Sequence, residues 1–576
     1  MIDPHLVFAK SFPNESLFVQ SLIYEVSKKL EKGHFCIDIN EFPFLDSPFE
    51  QSTLESIESD TIGSSLKDAS PFVLNQDKLY LHRYFYYETQ LLERIKAFRA
   101  VKSPSDLSNF LLVQKGAIRD MFEVDKYGMS WQLVALIISF KSNFSIISGG
   151  PGTGKTTTVA KILNFAYQYN PNLSVALVAP TGKAASRLNE SLQESKVKIG
   201  LAEDVKSKFD QVSASTIHRY LGFDFRNKTS FIHNKDNQVK DDLIIIDESS
   251  MVDGALMSKL LEAIPATSKV IMLGDKHQLA SVEAGSVFGD LCLANTHTNI
   301  YSEYLKESVD LLAPEWSNQL INGEESRFGD HVVEFQKSFR FKDNEGIGLF
   351  SKACLKGDID QLTLFKMPQD NTSERVLISE KEAEINRFYT LFEAYIREKD
   401  PLEALKQFSE VQILCATKKG NRGVEQFNEQ VETYLSNKGL LKLRKGGFYH
   451  NQPIMITQNM DDLELYNGDI GLVRETEGAL KAYFVINSEL KVIDVNMLNN
   501  AQTVFAMSIH KSQGSEFNHV MIVFPETTNE LLSRELLYTG VTRAKKQALV
   551  VVNEQVLTTM VERTVARASG IVNRIS

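Results

Sequence analysis

Gly149-Gly-Pro-Gly-Thr-Gly-Lys-Thr156 follows the short apolar run Phe144-Ser-Ile-Ile147, and that junction decides the fold. The spacing G-x-x-x-x-G-K-T builds a phosphate-binding loop, because its glycines let the backbone curl until successive N–H groups point inward at an anion. Lys155 brings an ammonium to the β and γ oxygens of a triphosphate, and the Thr156 hydroxyl is placed to ligate Mg²⁺. The run Thr157-Thr-Val-Ala-Lys-Ile-Leu163 reads as a helix whose N-terminus faces the phosphates. The expected nucleotide contacts are therefore Gly149, Gly150, Pro151, Gly152, Thr153, Gly154, Lys155, Thr156 and Thr157. Strand, glycine loop and helix open a parallel α/β sheet. The loop identifies the nucleotide and leaves open what its hydrolysis drives.

Outward from the loop, apolar runs alternate with helical stretches, the pattern of a parallel sheet. Strands are expected at Phe144–Ile147, Val175–Val178, Leu243–Ile246 and Lys269–Leu273, with Asp224 to Asp242 as a hairpin or surface excursion. A second α/β region starts near Glu334, with strands at Val411–Cys415, Val504–Ser508, His519–Phe524 and Gln547–Val552. Between Leu440 and Val495 the texture changes to short strands with turns such as Tyr466-Asn-Gly-Asp469, a small β-rich insertion. Residues 1–112 carry no catalytic signature. They hold apolar helical stretches from Leu17 to Leu30, a polar loop from Ser47 to Ser70, and an aromatic block (Tyr80, Tyr84, Phe85, Tyr86, Tyr87) that reads as helix core, with a partner-binding face as the alternative. The expected division is 1–112, 113–333 and 334–576, with the insertion at about 440–495.

Composition narrows the class. No segment reaches the ~18 uninterrupted apolar residues of a membrane span, and Met1-Ile-Asp-Pro-His5 lacks the layout of a signal peptide. Cys36, Cys292, Cys354 and Cys415 are scattered, with no C-x-x-C pair to suggest zinc, an iron–sulfur cluster or a disulfide framework. A cytoplasmic protein is expected. The net charge of −11 does not by itself suggest nucleic acid. Screening over about 8 Å nevertheless permits a local basic channel on an acidic surface.

Further motifs follow in order. Leu243-Ile-Ile-Ile-Asp247-Glu248 delivers two carboxylates from the end of a strand: Asp247 to hold Mg²⁺ and Glu248 to activate the attacking water. In Ile271-Met-Leu-Gly-Asp-Lys-His-Gln278, the Gln278 amide suits a γ-phosphate sensor, since it both donates and accepts. Arg340, in Lys337-Ser-Phe-Arg-Phe341, and Arg543, in Leu537-Tyr-Thr-Gly-Val-Thr-Arg-Ala544, belong to the second α/β region. An arginine reaching the γ-phosphate from a neighbouring domain stabilises the transition state and makes domain closure depend on the triphosphate. Pro180, Thr181 and Lys183 in Ala179-Pro-Thr-Gly-Lys-Ala-Ala185, with Thr216 and His218 in Ser215-Thr-Ile-His-Arg219, suit a phosphodiester backbone, as do Ser508, His510, Lys511 and Gln513 in the second region. Each of these segments also reads simply as a helix start, with Thr181 as an N-cap.

Taken in order, these strings resemble the motifs of superfamily-1 DNA helicases over roughly residues 112–576. The resemblance implies two RecA-like P-loop domains with ATP and Mg²⁺ between them, and it makes Gln132 similar to an adenine-reading glutamine. Ser281-Val-Glu-Ala-Gly-Ser-Val-Phe-Gly-Asp290, Gly33-His-Phe-Cys-Ile-Asp38, Leu79-Tyr-Leu-His-Arg83 and Arg567-Ala-Ser-Gly-Ile571 are more narrowly similar to the RecD family, the alpha chains of exonuclease V. That family implies a 5′-to-3′ DNA helicase in recombinational repair of double-strand breaks. It also implies RecB-like and RecC-like partners, single-stranded DNA and duplex ends as substrates, and a nuclease housed in a partner. The insertion resembles a small SH3-like barrel that touches DNA, and the N-terminal domain, whose sequence offers packing but no chemistry, is expected to dock a partner. His277 and Ser508 depart from the usual residues without removing needed chemistry. Three other readings stand beside it: a stand-alone RecD-like helicase, a P-loop switch, and a scaffold without turnover. The switch lacks its guanine-reading string, for which Asn234-Lys-Asp-Asn237 is only a near miss.

Overall fold

A computed structural model describes residues 3–42, 59–123, 130–201, 203–223, 230–295, 298–319, 321–322, 328–367, 375–444, 446–486, 489–565 and 567–575. Its first sheet has six parallel strands in the order Val332–Phe335, Phe144–Gly149, Lys269–Gly274, Leu243–Ile246, Val175–Ala179, Ala214–Thr216. Leu243–Ile246 is buried at every position, which is why it reads as a continuous apolar run: helices cover both faces of a parallel sheet. Ala214–Thr216 and Val332–Phe335 were not among the expected strands. The second corrects the proposed boundary at 333/334, because Glu334 pairs with Ser148 inside this sheet and the change of sheet falls after Phe335.

The second sheet is also parallel, in the order Arg375–Ile378, Ala544–Val551, Phe517–Val523, Val411–Cys415, Ala506–Ser508. Four of these strands match expected ones. Arg375–Ile378 is not among the expected strands: it starts on an exposed arginine and has only two buried side chains, so it carries no continuous apolar run. Between Val411–Cys415 and Ala506–Ser508 lies a five-stranded antiparallel sheet, ordered Glu489–Asp494, Ala479–Ile486, Ile470–Thr476, Pro453–Ile456, Ala501–Thr503. Ile454, Ile456, Val473, Ala482 and Phe484 alternate inward to form its own core. Its last strand lies beyond 495 and passes directly into the second parallel sheet, so the insertion ends later than expected.

The N-terminal region pairs the helices Pro4–Lys10 and Leu17–Glu31 with a four-stranded sheet ordered Cys36–Asp38, Lys78–Leu81, Phe72–Asn75, Ile62–Gly63. The expected loop at Ser47–Ser70 lies partly outside the described residues, as does the start of the excursion at Asp224. Of the aromatic block, Tyr80, Phe85 and Tyr87 are buried. The helix His82–Arg99 packs against Gly254–Ala263, placing Leu91, Ile95 and Phe98 in the core of the first parallel sheet. Leu107 and Leu111 enter the core on its other face. Residues 82–112 are thus structurally part of the first α/β domain. The chain's end returns as well, with Ile571 and Ile575 in the same core as Phe98.

Candidate active site

The phosphate loop turns through Gly152 at φ +75° and Gly154 at φ +84°. A Cβ at Gly152 would lie 2.3 Å from the Cβ of Arg340, and one at Gly154 2.6 Å from Gln132 Nε2. Backbone conformation demands glycine at both positions, and crowding against the Arg340 Cβ adds to the demand at Gly152. Thr153 Oγ1 donates to the Gly150 carbonyl at 2.8 Å, while Lys155 Nζ donates to the carbonyls of Gly149 at 2.5 Å and Gly150 at 3.2 Å. Gln132 Nε2 donates to the Thr153 carbonyl at 3.3 Å, which sets this amide against the loop. The helix Lys155–Tyr169 starts at once after Gly154, and its first N–H groups complete the anion-binding concavity.

The two neighbouring strands bring the acids. Asp247 leaves the strand Leu243–Ile246, and its Oδ1 accepts the Glu248 N–H at 2.8 Å. Glu248 sits at φ +50°, an unusual conformation for a side chain of this kind. Burial first, and then the charge of Glu248, push the Asp247 carboxyl up to about 6, against the pull of Lys155 and Arg187. Two crowded carboxylates in a poorly solvated site favour a cation. Thr156 and Asp247 carry hard oxygen atoms of the kind that could hold Mg²⁺. Among the described residues no group of three or more His, Cys, Asp or Glu forms a self-contained metal site.

From the strand Lys269–Gly274 the chain enters Asp275, which is fully buried. Its carboxylate accepts from Gln278 Nε2 at 3.1 Å, from the Tyr538 hydroxyl at 3.0 Å and from the His277 N–H at 3.0 Å. Gln278 Oε1 is buried with no hydrogen-bond partner among the described residues. A buried acceptor left unmade is costly, and Gln278 is among the residues that line the cavity of the site. His277 faces Glu334, with Nε2 and Oε1 3.6 Å apart.

A second layer closes the site from the other side. The Phe339 N–H donates to the Gly152 carbonyl at 2.8 Å and Ser338 Oγ to the Pro151 carbonyl at 3.2 Å. These bonds lay the segment around Arg340 across the loop. Arg340 Nη1 lies 2.5 Å from Glu516 Oε1, Arg187 pairs with the same oxygen, and Lys545 Nζ is 3.5 Å from Oε2. Burial works to raise the Glu516 carboxyl, but Arg187 and Arg340 outweigh it and hold the group at about 2. Arg543 is 2% exposed, donating to the carbonyls of Thr539 at 3.1 Å and Ser515 at 3.3 Å. Gln513 Nε2 donates to the Leu279 carbonyl at 2.8 Å, and the Leu279 N–H donates to Thr539 Oγ1 at 3.0 Å. The end of the Gln278 segment is therefore bonded directly to the second domain.

Between the two layers lies a cavity of about 500 Å³. Lys155, Asp247, Glu248, Gln278, Arg340 and Arg543 all line it, as do Gln132 and the loop from Pro151 to Thr157. Gly149 and Gly150 sit behind it and supply the carbonyls that hold Lys155. Sequence reasoning missed Arg187 and the role of Glu516. The signal for Arg187 was its spacing: Ala184, Arg187, Leu188 and Ser191 form one helical face, and all four line the cavity.

The expected DNA contacts also follow the C-terminal ends of strands, at or next to one edge of each sheet. Pro180 and Thr181 follow Val175–Ala179, Thr216 ends the edge strand Ala214–Thr216, and Ser508 ends the edge strand Ala506–Ser508. Thr181 and Thr216 cap the helices behind them, accepting from Ala184 N and Arg219 N at 3.2 Å each. The exposed His218 stacks on Phe223 with ring centres 6.0 Å apart. Lys511 is exposed, and its N–H donates to Ser508 Oγ at 3.4 Å. Burial lowers the His510 imidazole below its usual range. Burial, against the opposing charge of Asp469, takes the Lys183 ammonium down to about 8. Gln513 differs from the rest: it is buried on Leu279, between the domains and away from solvent.

The chain matches the family model of an AAA domain over residues 132–284 and that of a UvrD-like helicase C-terminal domain over 503–551. It is 34% identical to the RecBCD enzyme subunit RecD of Haemophilus influenzae, over 87% of this chain and 81% of that protein. Identity to the RecD subunit of Mycolicibacterium smegmatis is 32%, covering 95% of this chain and 92% of the relative. The ATP-dependent RecD2 DNA helicase of Deinococcus radiodurans is 27% identical, over 84% of this chain and 56% of that protein. Among solved structures, Bacteroides Pif1 bound to ssDNA aligns at 16% identity and a TM-score of 0.34, over 73% of this chain and 91% of Pif1.

Proposed function

The chain belongs to the RecD family of RecBCD enzyme subunits, and from that premise we propose that it is the 5′-to-3′ DNA motor of a heterotrimer with RecB-like and RecC-like partners. The protein is an ATP-dependent DNA helicase. One observation carries the motor reading: Lys155, Asp247 and Gln278 on the first domain face Arg340 and Arg543 across a single cavity. Such a site is complete only when the two domains close on the nucleotide, so each cycle of binding and hydrolysis moves one domain against the other.

In this proposal Gln132 reads the base and the phosphate loop cradles the triphosphate, with Lys155 turning from its loop carbonyls to the β and γ oxygens. Thr156 and Asp247 would hold Mg²⁺, which when bound would neutralise charge on the triphosphate. Glu248 takes the proton of the attacking water, Gln278 orients that water through its unmade oxygen, and Arg340 and Arg543 stabilise charge on the leaving group. Asp275, Tyr538, Thr539 and Gln513 relay the change at Gln278 to the second domain. Pro180, Thr181, Lys183, Thr216 and His218 on one domain, with Ser508, His510 and Lys511 on the other, grip single-stranded DNA. The five-stranded insertion is read as an SH3-like module beside that path, the N-terminal region as a partner-docking surface, and DNA cutting as the work of a partner. Among the described residues no helix is long and apolar enough to cross a membrane; a cytoplasmic site of action is part of the proposal.

The test is unwinding of tailed duplexes by the purified chain, with 5′ and 3′ tails compared, alone and with candidate partners. Unwinding of 3′-tailed substrates alone would overturn the polarity. The similarity to RecD2 supports a second reading, a helicase that works without partners. Co-purification separates the two: a fully active monomer would favour the second.

A further inference from the structure

Glu516 is one carboxylate facing four cations. Arg187 and Arg340 pair with its Oε1, Lys545 stands 3.5 Å from Oε2, and Arg543 adds its charge nearby. These cations come from three parts of the molecule: Arg187 from the helix Gly182–Ile199 of the first domain, Arg340 from the segment laid over the phosphate loop, and Lys545 from the strand Ala544–Val551 of the second. The Glu516 side chain is 9% exposed, and Glu516, Arg187 and Arg340 all line the cavity that holds Lys155 and Thr156. A carboxylate and a terminal phosphate offer guanidinium groups the same thing, a pair of anionic oxygens for their N–H donors. The two arginines cannot serve both fully at once.

We propose that Glu516 is a positioning residue that stands in for the γ-phosphate: it holds Arg187 and Arg340 when the nucleotide lacks a third phosphate and yields them when a triphosphate arrives. This deepens the function proposed above and rests on it. Because Arg187 belongs to one domain and Glu516 to the other, their ion pair ties the domains together in the arrangement described here. Transfer of both arginines to the triphosphate replaces that tie with one routed through the nucleotide. Breaking the two pairs subtracts from triphosphate binding and leaves diphosphate binding untouched, so Glu516 lowers the preference for triphosphate and makes the exchange reversible after hydrolysis.

The test compares affinities of the full chain for ADP and for a non-hydrolysable ATP analogue, without DNA. Glu516→Gln keeps the shape and removes the charge. The ratio of the ADP dissociation constant to that of the analogue is expected to rise about tenfold, the worth of one charge-assisted hydrogen bond. DNA-independent hydrolysis should rise with it, and the stimulation by single-stranded DNA should shrink. Glu516→Asp retains the charge at shorter reach and should shift the ratio in the same direction by a smaller factor; it serves alone if the Gln variant does not fold. An unchanged or lower ratio in the folded variant overturns the inference, as does a parallel change in both affinities, the mark of a merely structural role. A wild-type chain that binds no triphosphate overturns this inference together with the function it rests on.

Discussion

Lys155 and Gly152 show how much one residue carries in this loop. Lys155 supplies the only side-chain ammonium in the G-x-x-x-x-G-K-T string, and its hydrogen bonds to Gly149 and Gly150 hold it poised over the loop. Lys155→Gln should reduce DNA-stimulated ATP hydrolysis by about 10²-fold or more, in line with losing one preorganised donor at a site of developing charge. Steady-state phosphate release checks this, and an unchanged rate would sink the motor reading. Gly152→Ala makes a different demand. Its Cβ would sit 2.3 Å from the Cβ of Arg340 at a backbone φ of +75°. Strain of about 1–3 kcal/mol is the usual cost, so nucleotide affinity should fall roughly tenfold, read by titration with a fluorescent analogue. The glycine string itself made this loop legible. Arg187 was harder to see, because an arginine inside a polar helix carries no local mark of the carboxylate it meets from another domain.

At the scale of elements, the C-terminal helix Ile571–Arg574 is held by a buried ion pair. Glu88 is fully buried and accepts from Arg574 Nη1 at 2.8 Å, from Gly570 N at 2.9 Å and from the Tyr80 hydroxyl at 3.1 Å. Arg574→Ala leaves that carboxylate without its cation and should destabilise the protein by about 3–5 kcal/mol, measured by denaturant unfolding. Beside it, Ser569 Oγ donates to Asp290 Oδ2 at 2.8 Å. Burial pushes the Asp290 carboxyl up to about 7, with Glu88 adding to the rise while Ser569 and Arg567 oppose it. A raised carboxyl binds its proton more tightly in the folded state. Its contribution to stability is therefore complete below the ordinary carboxylate range near 4 and is lost as pH rises through about 7. Asp290→Asn, neutral throughout, should match the wild type near pH 4 and melt higher by on the order of a few degrees near pH 8. Thermal scans across that window decide it.

The whole molecule is less divisible than its motifs suggest. Removing residues 1–112 looks like removing a docking module, but it would take Leu91, Ile95, Phe98, Leu107 and Leu111 out of the cores of the first domain. The expected result is an insoluble chain, so surface substitutions on the helices Pro4–Lys10 and Leu17–Glu31 are the sounder test of docking, read by co-purification with the partner subunits. By itself, the sequence determined the nucleotide loop, the paired acids, the order of the motifs and both parallel sheets in outline. Each of these is written in a short continuous stretch: a glycine pattern for a curled backbone, an apolar run for a strand buried on both faces. Only the tertiary structure decided where Val332–Phe335 and Arg375–Ile378 pair, that the last residues return to the first domain, and that Gln513 belongs to the domain interface. It alone brought Arg187, Arg340 and Lys545 around Glu516. Those partners are separated by long stretches of chain, and nothing in a local pattern encodes which distant charge a buried carboxylate will meet.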